Sequence, residues 1–300
     1  MDTRSLTRND FSAVVELDRR LTNTSRRDFF QRRLESAIRA PARHLQIAAT
    51  EDDALLGYVL ARVVGGEFGR PAPAAVIEAI GVDPRWHGRG AGRALLAALA
   101  DRMHRRDLHE LLTQASWRDH ALLPFPDSAG FSLAPRHVLV RDVAARPDDD
   151  GDHEHEVRLI RTMSAADLPG IVAVDSRTSG QDREEYLRRK VDEALSESAV
   201  QSSLVAIDDG HVVGFLMARV DMGDYGQVLA SATIDTLGVD PRFARKGYGA
   251  ALLDQLLKNL RALGVESVLT EVDRASWELL RWFYRNGFGP SERLVFQKRV

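Results

Sequence analysis

Two stretches of the chain bring together residue types suited to holding phosphate. Ile77–Leu96 and Ile234–Leu253 each run from an apolar strand pattern through Val-Asp-Pro-Arg to a Gly-x-Gly, then into a leucine-rich helical pattern, and they lie 157 residues apart. A glycine loop that opens a helix presents unpaired backbone N–H groups and the positive end of the helix dipole, which suits phosphate oxygens. A lone Gly-x-Gly marks many turns, whereas two copies in the same strand-to-helix context are far more specific.

Acids sit beside both loops. Glu78 and Asp235 occupy equivalent places inside the two apolar strands. Desolvation there is expected to raise a carboxyl pKa and so suit a proton acceptor, unless the acid is paired with an arginine or turned to solvent. Glu271 and Asp273, near the end of a later strand, form a candidate carboxylate lip for a cationic substrate, where the first copy has Gln114 and Ser116. Arg62, Arg219, Arg136 and Arg293 are duplicated too, and their expected role is structural, binding a neighbouring acid or carbonyl.

The elements that must position these residues repeat with the same offset. Each copy opens on a helix-start signature, Thr7-x-x-Asp10 and Ser164-x-x-Asp167, in which the hydroxyl caps the first turn and the carboxylate reaches back. A second, polar helical stretch follows (Arg26–Ala40; Arg183–Leu195), with Phe30, Leu34 and Ile38 on the expected apolar stripe of the first. Two strand patterns come next, joined by an acidic turn or by Asp-Gly. After the glycine loop and its helix, a further strand, a short helix and a final strand (Arg136–Val143; Arg293–Val300) are expected to close each unit. The predicted units are 1–145 and 157–300, joined by a charged, Pro/Gly-punctuated linker over 146–156. Its His153 and His155 fix no metal geometry, and no metal site is expected.

Composition narrows the class. In 300 residues, 44% are apolar and 28% charged, which suits two soluble globular cores. The net charge of -3 offers no global basic field, so nucleic acid is not an expected partner. With no cysteine there is no disulfide, thiolate nucleophile or thiolate metal site. No apolar leader or membrane-length window is visible, and the expected setting is cytoplasmic, without a membrane partner.

The order helix, helix, antiparallel strands, strand–Val-Asp-Pro–glycine loop–helix, then a strand and a helix ending in Gly-Phe (Gly130-Phe131; Gly287-Phe288) resembles the GNAT (Gcn5-related) N-acetyltransferase superfamily, here as a tandem duplication. The resemblance implies an α/β fold with a mixed sheet flanked by helices in each half, and acetyl-CoA as cosubstrate, with its pantetheine arm in a splay between two parallel strands. Carried over by position, the cofactor residues are Val82, Gly88, Arg89, Gly90, Ala91, Gly92 and Arg93 in the first half. The second-half set is Val239, Arg245, Lys246, Gly247, Tyr248, Gly249 and Ala250. The implied reaction is direct attack by a primary amine, on a small molecule or peptide, within a ternary complex. Glu78 and Asp235 stand where the family often puts a carboxylate facing that amine.

Two departures stand out. The usual Gln or Arg at the head of the loop is His87 in one copy and Ala244 in the other. The position where the family commonly has a general-acid Tyr is Pro126 or Phe283, and Tyr284 is one residue late, about 100° round a helix; it is an acid only if that helix is shifted, and otherwise a packing Tyr. Pro124 and Pro126 also argue against a regular helix there. The leaving thiolate needs little help, since a thiol pKa is about 8.5. Deprotonating an alkyl ammonium costs more, on the order of 4–5 kcal/mol at pH 7, while holding amine and thioester in contact contributes about 7–11 kcal/mol. The second half is therefore the expected catalytic one, with Asp235, Glu271 and Tyr284 as its candidates, and the first half an internal partner. The rival expectation is a degenerate acyl-CoA-binding module without transfer. A monomer with internal pseudo-dimer symmetry and a homodimer both fit.

Overall fold

The computed structural model describes residues 1–65, 67, 72–120, 122–145, 159–196, 202–221 and 230–300. The linker with His153 and His155, half of the loop 65–74 and most of the loop 221–230 lie outside the described residues.

In the first half the elements are β1 (Asp2–Ser5), α1 (Phe11–Thr22), α2 (Arg27–Arg39), β2 (His44–Glu51), β3 (Ala54–Val64), β4 (Ala74–Val82), α3 (Ala91–His104), β5 (Glu110–Ser116), α4 (Pro124–Ser128), β6 (Ser132–Leu133) and β7 (Arg136–Asp142). The second half repeats them as β8 (Leu159–Thr162), α5 (Leu168–Ser179), α6 (Glu184–Ser196), β9 (Leu204–Asp208), β10 (His211–Asp221), β11 (Ser231–Val239), α7 (Tyr248–Ala262), β12 (Ser267–Asp273), α8 (Trp277–Arg285), β13 (Gly289–Pro290) and β14 (Arg293–Arg299). Both capping boxes form, each on a single 3-10 turn that leads into the first helix. Arg4 and Arg161, on the short opening strands that the helix signals had masked, pair with the capping acids Asp10 and Asp167.

The two seven-stranded sheets run β1-β2-β3-β4-β5-β14-β6 and β13-β7-β12-β11-β10-β9-β8. Each final strand thus closes the sheet of the other half, contrary to the expectation that it closes its own. β14 lies antiparallel to β5 (Val295 opposite Gln114) and β7 antiparallel to β12 (Val138 opposite Glu271). A backbone ladder does not distinguish two strands of like pattern, so either sheet accepts either strand. The exchanged side chains complete the cores: Leu139 and Val143 are buried among Leu253, Leu256 and the other residues of the second core, and Phe296 joins the first. Between the sheets, Ala134, Val138, Leu269 and Val295 form a small shared core.

Several local expectations are corrected by the packing. Ile38 is 46% exposed, because α2 turns Phe29 and Phe30 inward instead. Pro124 and Pro126 do not prevent a helix: α4 is a single turn with both prolines in its first three positions, where no intrahelical N–H bond is required.

Candidate active site

The site in each half begins with an Asp-Pro-Arg turn of the same geometry between strand and glycine loop. Asp83 and Asp240 accept hydrogen bonds from the backbone N–H of Arg85 and Arg242, both at 3.0 Å. The Arg85 and Arg242 guanidinium groups hold these buried carboxyls well below the usual range. Arg20 and Arg177, on α1 and α5, reach the same acids at 3.3 and 2.8 Å and so tie the turn to the helix layer.

The loops then pass through left-handed backbone twice. Gly88 and Arg245 have φ of +73° and +62°, and the helix caps Gly90 and Gly247 have φ of +88° and +82°. Arg245 adopts at some cost a conformation that is free for Gly88. Because each cap is a glycine, no side chain caps α3 or α7; Ala94 and Ala251 N–H donate back to Gly90 and Gly247. The first-turn N–H groups need acceptors from outside the helix, as an anion site requires. Arg89 lies over the Trp86 ring at 5.3 Å and Lys246 over Phe243 at 4.7 Å, so each loop carries an aromatic-supported cation at its mouth. His87 closes back on the Val82 carbonyl at 2.9 Å, a contact Ala244 has no side chain to make.

Beside each loop the parallel strands part. β4 pairs with β5 only at Ala75–Leu111 and Val76–Leu112, and β11 pairs with β12 only as far as Ile234–Thr270. Thr113 and Thr270 hydroxyls donate to the Ile77 and Ile234 carbonyls (3.4 and 3.3 Å), stitching the apex of each splay. Beyond the apex, β4 and β11 lead to Val82 and Val239, against which Gly92 and Gly249 pack. A Cβ on Gly249 would meet Trp282 at 3.3 Å and one on Gly92 would meet Phe125 at 3.5 Å, so the next helix walls the groove. Glycine loop, uncapped helix and splay together fit the diphosphate and pantetheine arm of a coenzyme A thioester in both halves.

The candidate bases stand at β-bulges. Leu60 pairs with Ala79 but Ala61 with Ile77, and Met217 with Thr236 but Ala218 with Ile234, leaving Glu78 and Asp235 as the extra residues. A bulge re-aims its side chain, and here it turns both acids into buried ion pairs. Glu78, 2% exposed, is held by Arg33 and Arg62, both at 2.9 Å. Asp235 is held by Lys190 at 2.8 Å and Arg219 at 3.2 Å. Burial alone would raise the Asp235 pKa, but Arg219, Lys190 and Arg62 outweigh it and hold the carboxyl well below its ordinary range. The raised pKa expected from the apolar strand is thus reversed for Asp235. Lys190 in turn reaches Glu67 at 3.0 Å and Glu193 at 3.2 Å. Sequence reasoning did not single out Arg33, Lys190, Glu67 or Glu193, although Arg33 and Lys190 repeat a basic residue at the 157-residue offset.

Of the two downstream acids, Glu271 lies on the pseudo-twofold axis. Glu271 on β12 faces its own counterpart: Gln114 Nε2 donates to Glu271 Oε2 at 3.2 Å. Arg136 pairs with Glu271 at 3.3 Å, and Arg293 donates to Gln114 Oε1 at 3.2 Å. Each arginine arrives on an exchanged strand, so the duplicated arginines bind neighbouring acids and amides as expected. With Thr113, Thr270, Arg62, Arg219 and Asp235 they line a central cavity of about 90 Å³. Asp273 ends β12 and caps the following turn through Ala275 N–H at 2.8 Å. On α8, Phe283 is fully buried while Tyr284 is 47% exposed; Tyr284 is neither a core residue nor part of the central cavity. Trp282 serves as groove wall and Trp277 is exposed.

Two mixed sheets in one chain, each splayed beside a glycine-capped helix, define a tandem acyl-CoA-type α/β fold. A family model described as "Acetyltransferase (GNAT) family" matches residues 10–131 and 170–288, and the chain belongs to that family. The mycothiol acetyltransferase of Geodermatophilus obscurus is 31% identical over 267 residues, covering 81% of this chain and 78% of its own. That of Clavibacter michiganensis is 30% identical over 243 residues, with 75% and 76% covered. Among solved structures, a tandem GNAT protein from the clavulanic acid biosynthesis pathway aligns over 99% of this chain and 98% of its own, with a TM-score of 0.67 at 17% identity; at that identity the likeness speaks for the fold alone. Among the described residues no helix is long and apolar enough to cross a membrane, and no group of His, Cys, Asp and Glu could hold a metal ion.

Proposed function

We propose that the chain transfers an acetyl group from acetyl-CoA to a primary amine, with residues 157–300, completed by β7, as the catalytic unit. The observation that carries this reading is the uncapped, glycine-opened helix beside a splayed strand pair. Acetyl-CoA supplies an activated thioester when bound. Tyr248, Gly249 and Ala250 N–H groups face its phosphates, with Lys246 and Arg245 adding charge at the mouth. The splay beyond Ile234 frees N–H groups of β11 on the side facing β12, and these polarise a thioester oxygen.

Among the acids, Glu271 takes the acceptor proton, directly or through water. Its side chain is 24% exposed on the central cavity, against 11% for Asp235 and 2% for Glu78. Asp235, held ionised by its cations, keeps Lys190 and Arg219 in place rather than cycling a proton. Exposed Tyr284 is left without a required role, because the thiolate leaves near its own pKa, about 8.5. The first half, 1–145 completed by β14, reads as a binding or structural partner, since Glu78 is locked and Gln114 replaces the glutamate.

The relatives' name makes small molecules of the mycothiol kind the first acceptors to try. Acetyl-CoA titration and thiol release with a panel of amines test the reading. Binding without thiol release on any amine would favour the binding module, and no binding at millimolar acetyl-CoA would sink both.

A further inference from the structure

A second cavity, of about 140 Å³, lies between α2 and α6 and shares Arg62, Arg219 and Asp235 with the central one. At roughly 30 Å³ per water it has room for a group the size of a few waters. Its wall is strongly basic. Arg32, Arg33, Arg39 and Arg43 come from the first half, and Lys190 from the second, in addition to the two shared arginines. Those seven cations outnumber the four carboxylates named as their partners, Glu67, Glu78, Glu193 and Asp235, of which Glu193 and Asp235 line the cavity. Arg43 is tied to Glu193 at 2.6 Å, whereas Arg39 makes no ion pair among the described residues.

His44 adds a neutral donor. It is 8% exposed, lines the cavity, and makes no side-chain hydrogen bond among the described residues. Burial first, and then Arg33, Arg62 and Arg43, push its pKa down to about 4, so near neutrality the imidazole carries one N–H and leaves the local excess of charge unchanged. A buried ring without a partner beside unbalanced arginines is the chemistry of an anion site.

We propose that this cavity binds a small oxyanion of phosphate type, with Arg39, Arg43 and His44 as its donors. Because the wall containing Asp235 is common to both cavities, the oxyanion is either carried by the amine acceptor, which rests on the transfer reading above, or supplied as a free ion.

Isothermal titration of the full-length protein with inorganic phosphate, in low-salt chloride buffer, is the test. Saturable binding to one site is expected, weakened about tenfold or more by Arg39→Glu and changed by only about threefold by Arg39→Lys. Arg39 is exposed, so both variants are expected to keep the wild-type melting temperature. Absence of saturable binding, or equal binding by Arg39→Glu and wild type, would overturn the site. Turnover separates the sources: an acceptor-borne group makes phosphate raise the amine KM at constant kcat, and a free ion leaves that KM unchanged. Phosphate binding in a protein that releases no thiol would refute the transfer reading and leave the anion site standing.

Discussion

The carboxylate at the first bulge, Glu78, is clamped by Arg33 and Arg62, while the one at the second, Asp235, shares Lys190 with Glu67 and Glu193. On the axis, Gln114 in one half touches Glu271 in the other. The glycine loops differ far less: both are glycine-capped, both carry a cation over an aromatic ring, and both begin at a self-capped Asp-Pro-Arg turn. The two copies therefore share the glycine-capped loop geometry and differ in the charge around the bulge acids and on the axis. The backbone satisfies phosphate whatever the side chains are, whereas proton transfer depends on one acid with access to the reacting atoms.

The strand exchange sets the largest expected effect. Removing residues 293–300 deletes β14, leaves the β5 edge unpaired and strips Phe296 from the first core. The damage should fall on the half that keeps its own sequence intact, read as lost hydrogen-exchange protection across β3, β4 and β5. Cutting the linker over 146–156 should instead leave one associated species on size exclusion, since β7 and β14 remain interlocked. Loss of protection confined to the second half would break this account.

Next in size, Gly247→Glu places a charged side chain at a φ of +82° where phosphate is to sit. Acetyl-CoA affinity at that site should fall on the order of a thousandfold, about 4 kcal/mol, and turnover with it. Gly90→Glu should remove binding at the first site while turnover changes little. Titration stoichiometry beside thiol release reads both; equal loss of turnover in the two variants would erase the proposed division between the halves.

Buried charge gives a third contrast. Glu78→Gln leaves Arg33 and Arg62 facing each other and should cost about 3–5 kcal/mol of stability. Asp235→Asn should cost less, about 1–3 kcal/mol, because Lys190 keeps Glu67 and Glu193. Urea midpoints in the reverse order would contradict the ion-pair assignment.

A fourth test uses the protein's own pair. Glu271→Gln converts the second half to the amide of the first and should lower kcat/KM about a hundredfold, read in the thiol-release assay. Gln114→Glu should add no second activity while Glu78 stays clamped.

Much of this was legible in the chain because the same signals occur twice. The capping boxes, the Asp-Pro-Arg turns and the glycine caps are local, so their spacing alone reveals them. The destination of β7 and β14 is not local: Arg136–Asp142 and Arg293–Arg299 carry interchangeable strand patterns, and nothing in either says which sheet it joins. The acids failed for a related reason. Glu78 and Asp235 look like desolvated carboxylates along their own strands, and only the fold brings Arg33 and Lys190 onto them from another layer. Glu271 was legible as an acid at a strand end, but its meeting with Gln114 across the axis follows from the exchange.

The smallest expected effect concerns pH. His44 has its pKa pushed down to about 4 in the folded protein, against about 6.5 in an unfolded chain. The unfolded state therefore binds the extra proton first, so the stability linked to His44 is fully present above about pH 6.5 and is lost as pH falls towards 4. The second copy carries Gln201 at the matching position, a residue outside the described ones that does not titrate. His44→Gln should therefore flatten the fall in urea midpoint between about pH 6.5 and 4. It should leave the steeper loss below pH 4, where carboxylates such as Asp10, held down to about 2 chiefly by its hydrogen bond from Arg4, become protonated. A variant with the wild-type slope between pH 6.5 and 4 would mean that His44 is charged in the folded state, and would remove the neutral donor from the basic cavity.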